Sequence, residues 1–240
     1  MKKKLVVIGV LAVLLIFGYA TREETNGNHN TTTVFQTTSP VENITQPENI
    51  TQTAGERVPS VNEILVKLGS HESFCWSMNG TSLSVFNIPT ESLKACINYS
   101  NGSALYWINT TDGRSFPYVA NSTLDNLDWS VITHTYSPEL NIINFLSWVL
   151  ENGNVTCVKR TGNHYEFCIS LKYEEESNAG TIENPYFVRA TETWNVTLIA
   201  NADGNPIGGH FVGRSRGPSN VVSANWFKEG NFTLLGEWRQ

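Results

Sequence analysis

Three kinds of side chain in this 240-residue chain could do chemistry: asparagines placed to accept sugar, cysteines placed to form disulfides, and one glutamate set in an apolar row. Asn-x-Ser/Thr acceptor sites stand at Asn30, Asn43, Asn49, Asn79, Asn98, Asn101, Asn109, Asn121, Asn154, Asn195 and Asn231. A random order of the same 26 Asn and 44 Ser plus Thr would produce roughly five such sites. Sugar is attached only to chains that cross a membrane, and only on solvated surface. Most of the protein is therefore expected to face the outside of a cell.

Cys75, Cys96, Cys157 and Cys168 fit no zinc spacing and no Cys-x-x-Cys redox motif, so in an exported chain two disulfides are expected. Of the three possible pairings the strand pattern selects one. Segments 154–160 and 165–173 flank Thr161-Gly162-Asn163-His164, and a hairpin centred between Gly162 and Asn163 pairs residues whose numbers sum to 325. Cys157 and Cys168 satisfy that sum, which leaves Cys75 with Cys96. Both bridges touch the polar face of their strands and are expected as external staples.

The glutamate is Glu192. In 188–200, Val188, Ala190, Trp194, Val196, Leu198 and Ala200 share one face, opposite Arg189, Thr191, Thr193, Asn195 and Thr197. Glu192 falls in the apolar row, where an unpaired carboxylate is strongly disfavoured. It needs Arg214 or Arg216 across the sheet, or an opening. If it marks the rim of a cavity, Glu192, Trp194 and Trp148 are the candidate ligand-binding residues. The other tryptophans, Trp76, Trp107, Trp129, Trp226 and Trp238, are expected in the core. His29, His71, His134, His164 and His210 are dispersed. There is no His-Glu-x-x-His and no phosphate loop, and the chain is also read as lacking a Gly-x-Ser-x-Gly nucleophile elbow. No catalytic residue, metal or cofactor is expected, and the chain is read as a non-enzyme.

The elements around these residues follow from patterning. Lys2 to Lys4 precede an apolar run, Leu5 to Tyr19, and Gly18-Tyr19-Ala20 offers small residues before a cut after Ala20, so residues 1–20 read as a signal peptide or N-terminal membrane anchor. Residues 21–58, crowded with Thr, Asn, Gln and Glu, read as a disordered glycosylated stalk. Residues 59–240 are enough for one extracellular β-rich domain. The formal charge of −6 argues against a nucleic-acid partner.

After residue 80 about nine strands are expected, mostly antiparallel, with turns at Asn101-Gly102, Asp112-Gly113 and Asp203-Gly204-Asn205-Pro206. Strand alternation places Asn98, Asn195 and Asn231 on polar faces. Two helices accompany the sheet. The first opens with the capping box Ser60 and Glu63 and buries Val61, Ile64, Leu65 and Leu68. The second takes Ser137 as cap and Pro138 as its first residue, ends before Gly153, and is apolar nearly all round.

This order, an N-terminal helix, a meander, a very apolar helix across Ser137 to Tyr173, a hairpin, and final strands from Val188 with the Asp203-Gly204-Asn205-Pro206 turn, resembles the half-open β-barrel of the lipoprotein-carrier family. That family includes bacterial periplasmic carriers and related mycobacterial surface lipoproteins. The resemblance implies a curved antiparallel sheet whose helices enclose an apolar cavity for acyl chains. The stalk, the bridges and the acceptor sites depart from a freely shuttling carrier. The expected function is binding of a lipid-like or other apolar ligand by a cell-surface domain, tethered through its N-terminus or secreted. The alternative is a structural or adhesive surface module with a filled core.

Overall fold

The computed structural model describes residues 57–123, 127–178, 186–219, 221 and 224–238. The expected membrane segment and all but the last two residues of the expected stalk, with Asn30, Asn43 and Asn49, lie outside those residues. The chain divides into two compact units, residues 47–175 with 189–240, and residues 1–46 with 176–188. Of the smaller unit the structure describes only the far end of one strand, Tyr186 and the beginning of the next strand.

The larger unit is built on one antiparallel sheet of nine strands that does not close. In chain order come helix α1 (Val61–Gly69), β1 (Ser73–Val85), β2 (Ile88–Asn98), β3 (Ser103–Thr110) and β4 (Ser115–Asn121). Helices α2 (Leu127–His134) and α3 (Ile142–Asn152) follow, then β5 (Asn154–Thr161), β6 (His164–Asn178), β7 (Phe187–Asn201), β8 (Pro206–Arg216) and β9 (Trp226–Gly236). The spatial order is β4-β3-β2-β1-β9-β8-β7-β6-β5. Two meanders thus meet where β9 pairs with β1, and the segment carrying α2 and α3 connects the two edge strands across one face.

That face is the apolar one. Trp76, Ala95, Tyr106, Phe167, Leu198, Phe211 and Phe232 point into it, and Ile142, Phe145, Leu146 and Val149 of α3 are buried against it. Phe145 makes edge contacts with Trp194 and Phe211, at centroid distances of 4.9 and 5.8 Å. Glycine gives these rings room: a Cβ on Gly213 would lie 2.5 Å from the Trp194 ring, and one on Gly230 would lie 2.8 Å from Phe211. Helix α1 carries the expected capping box, with Ser60 Oγ accepting from Glu63 N and Glu63 accepting from Ser60 N, and it buries Ile64 and Leu68.

Two helical expectations need correction. The turn at Ser137 does begin helically, with Ser137 O accepting from Asn141 N at 2.9 Å, but it does not continue into α3. Asn141 takes the extended cap conformation instead, and its side-chain oxygen accepts from Asn144 N. The third helix, α2, was not expected because it buries only Ile132 and shows no apolar stripe. Its last carbonyls are held from outside: Asn141 Nδ2 donates to Ile132 O and Asn144 Nδ2 to Thr133 O, both at 3.0 Å.

The disulfides are Cys75–Cys96 and Cys157–Cys168, each at a directly paired position. Only the second is an external staple; Cys75 and Cys96 turn away from the helices yet are 7 % and 4 % exposed. Asn79, Asn98, Asn109, Asn121, Asn154, Asn195 and Asn231 lie on strands and Asn101 lies in a turn; all are exposed except Asn98, which is half-buried. The β1–β2 hairpin turns on Phe86-Asn87 with φ of 48° and 63°, a conformation unusual for Phe, and Phe86 stacks on Tyr118 at 4.4 Å.

The two bridges close loops separated by 21 and 11 residues. Replacing Cys75 and Cys96 by Ala is expected to cost about 3 kcal/mol of stability, and the second pair a few tenths less. Urea denaturation of the two double variants reads this order, and the reverse order contradicts it.

Candidate functional site

The site begins with the connector between α2 and α3, because it carries polar groups into the interior. Glu139 is 0 % exposed, and Asn141 is equally buried. Each is answered by the sheet. Lys228 of β9 donates to Glu139 Oε1 at 2.7 Å, Ser137 Oγ donates to Glu139 Oε2 at 2.5 Å, and Ser84 N donates to Oε1 at 3.4 Å. Tyr106 donates to Leu140 O at 2.6 Å, and Tyr99 donates to Asn141 Oδ1 at 3.0 Å. Removing one partner from a buried, bonded pair leaves a charge or dipole stranded, so these bonds fix where the connector must lie.

Fixing the connector opens a pocket of about 250 Å³ beside it. Its walls are Tyr136 and Ser137 from the connector, Trp148 from α3, Tyr173 from β6, Glu192 and Trp194 from β7, and Trp226 and Lys228 from β9. All three sequence-predicted ligand residues, Glu192, Trp194 and Trp148, are therefore brought together. The rings form two runs. Tyr136 stacks on Trp148 at 5.1 Å and Trp148 meets Tyr173 edge-on at 5.2 Å, while Trp194 lies 5.4 Å from Trp226. Lys228 Nζ stands 5.6 Å from the Trp226 centroid.

Glu192 has a different partner from the one anticipated. It pairs in register with Ser215, so Arg214 and Arg216 on either side project to the opposite face. Its carboxylate instead accepts a hydrogen bond from the Tyr173 hydroxyl. Burial raises the Glu192 carboxyl above its ordinary value; Tyr173 opposes that shift, and Glu175 beside it adds to it. Burial, followed by the bond to Glu192, raises the Tyr173 phenol as well. The Trp194 Nε1 is buried without a hydrogen-bond partner of proper geometry, although it lies close enough to Glu192 to favour the ionised form.

A second concavity of about 440 Å³, more open, is bounded by Leu68, Gly69, His71, Glu72, Tyr99, Ser100, Ile143 and Asn144. It brings together no charged constellation beyond His71 and Glu72. Among the described residues no three of His, Cys, Asp and Glu converge as metal ligands. Gly213-Arg214-Ser215-Arg216-Gly217 does have the Gly-x-Ser-x-Gly spacing, contrary to the sequence reading. It is no nucleophile elbow: Ser215 lies within β8, is 4 % exposed, and donates to Ala224 O at 3.0 Å. His210, on the same strand, faces the other side of the sheet and bonds Asn231.

Trp107 also departs from expectation. It is 46 % exposed, on the face without helices. The acceptor asparagines of the strands share that face, and none of the eight described sites lines the pocket. Sequence reasoning missed Glu139 and Lys228. Their signal was available, since Lys228 alternates with Trp226 and Phe232 on β9, but without tertiary contacts a lysine in that row reads as a strand end. Among known proteins, no family model and no curated protein matches the chain.

The raised Glu192 carboxyl sets a pH dependence. Between its ordinary value and its raised value the folded state holds more protons than the unfolded state, so stability falls as pH rises through that window. Tyr136, Tyr173, Glu175, Glu139 and Lys228 are the other titratable groups facing this region among the described residues. Glu192→Gln keeps an acceptor for Tyr173 and removes the titration. Urea midpoints from about pH 4 to about pH 8 should decline less steeply in this variant than in the parent. A steeper decline contradicts the assignment.

Proposed function

We propose that the domain is an extracellular binding module, held at a membrane by residues 1–20, that takes a lipid-like or other apolar ligand through the aromatic pocket. The observation that carries this reading is the convergence of Trp148, Trp194, Trp226, Tyr136 and Tyr173 around one buried carboxylate, on the sheet face opposite the strand-borne acceptor asparagines of the described residues. Apolar walls with a few placed polar groups are the usual make-up of a small-ligand site. Two disulfides fit an oxidising, extracellular or secreted setting.

The volume bears on the ligand's size. About 250 Å³ lies below the usual range for drug-sized ligands, roughly 300 to 1,000 Å³, so the pocket suits a compact group or the head of a longer molecule. The resemblance to lipoprotein carriers implies an acyl-bearing ligand, and a pocket of this size would hold its head and leave its tail outside. A structural surface module is the second reading. It is favoured by the fully buried Trp76, Tyr106, Phe145, Phe167 and Phe211, which fill the space between sheet and helices.

Native mass spectrometry with solvent extraction, on the chain purified from an exporting host, separates the two. A stoichiometric apolar adduct is expected, and Trp148→Ala is expected to lose it while the protein stays folded. A clean unliganded mass from every preparation moves the conclusion to the structural module.

A further inference from the structure

The pocket's charges do not suit a neutral ligand. Glu192 is 6 % exposed, and Glu175, two residues beyond Tyr173 on the same face of β6, stands close enough to repel it. Lys228, the cation in the pocket lining, is already committed to Glu139 at 2.7 Å. Arg214 and Arg216 point to the other face. Among the described residues Glu192 therefore faces the pocket with no cation paired to it. A neutral apolar molecule would strip the remaining water from Glu192 without offering a partner, and that desolvation opposes binding.

A cation reverses the sign of that term. Aromatic faces carry negative potential and attract an ammonium within about 6 Å of the centroid, most strongly on Trp and once desolvated. The pocket already shows this contact in its own chain, where Lys228 Nζ stands 5.6 Å from the Trp226 centroid. Methylated ammonium groups are the organic cations such aromatic cages take, with the rings contacting methyl groups and the charge held without a water shell. A hard metal ion fits less well, because calcium takes about six to eight oxygen ligands and this wall is mainly ring carbon.

We propose that the pocket binds an organic cation, a methylated or quaternary ammonium group, against the rings of Trp148, Trp194 and Trp226, with Glu192 and Glu175 as its counter-charge. The proposal rests on the pocket being the ligand site and names the chemistry of the group that enters it. A lipid whose head carries such a group and a free small amine share this chemistry.

Isothermal titration of the full chain tests it with three probes at constant ionic strength: tetramethylammonium, choline, and the neutral isostere of choline in which carbon replaces nitrogen. The expected result is saturable binding of both cations, with the isostere at least about tenfold weaker. Glu192→Gln should weaken choline about tenfold and leave the isostere unchanged, and Glu175→Gln should weaken choline by a smaller factor. If Glu192→Gln does not fold, the exposed Glu175→Gln variant and the parent's choice between choline and isostere carry the decision. An isostere that binds as tightly as choline overturns the cation assignment and leaves the apolar pocket standing. Absence of binding by all three overturns the pocket itself as the site. Selective choline binding that neither substitution alters also overturns the proposal. Where the parent shows the expected selectivity, vesicles of phosphatidylcholine set against soluble choline distinguish a lipid head from a free amine, tighter binding of the vesicles indicating the lipid source.

Discussion

An open sheet with one apolar face has to have that face covered, and the rest of this structure depends on how α3 is held there. Each large apolar side chain kept from water contributes roughly 1.5 to 3 kcal/mol, and α3 buries six of them. Burial alone does not specify position, because greasy surfaces slide. The connector before α3 supplies position through Glu139, Leu140 and Asn141, which are bonded from β9, β3 and the end of β2. Those bonds are directional, and leaving any of them unmade costs more than making it gains. Asn141 of the connector and Asn144 in the first turn of α3 donate to the end of α2, so the start of one helix places the end of the other.

The pocket follows from that placement. Trp148 projects from α3 toward Tyr173 and Tyr136, and Trp194 reaches over Gly213 toward Trp226. Glycines in β8 and β9 let rings lie on the backbone of neighbouring strands, which packs the sheet tightly between Phe211 and Phe232, and space is left where Lys228 and Glu192 interrupt the apolar surface. Polar groups in an apolar layer are expensive, and here Glu192 and Lys228 meet at the wall of one pocket. The strand-borne acceptor asparagines occupy the opposite face, so attached sugars would leave that place accessible.

Much of the sheet was legible because a period of two is a local signal. The alternation in 188–200 put Glu192 and Trp194 on one face, and the turn at Gly162-Asn163 set the register that joins Cys157 to Cys168. The Gly-x-Ser-x-Gly spacing at 213–217 is present in the sequence, and its place within β8 makes it inert. What local pattern could not supply was tertiary. Helix α2 has no apolar stripe and is capped by side chains from further along the chain. Lys228 and Glu139 are 89 residues apart. The partner of Glu192 was misassigned to arginines because the parity of β8 against β7 depends on the bulge between Ile199 and Ala200. These three concern polar contacts whose second member lies on another element.

On the proposed reading a ligand enters the space beneath α3, bounded by Trp148, Trp194 and Trp226. Tryptophan indole resonances of the ¹⁵N-labelled chain report on it residue by residue. On titration with tetramethylammonium, the indole signals of Trp148, Trp194 and Trp226 should move together and saturate, while Trp76 in the core and Trp107 on the opposite face stay in place. Movement confined to Trp107, or no movement in the three pocket indoles, would contradict the account.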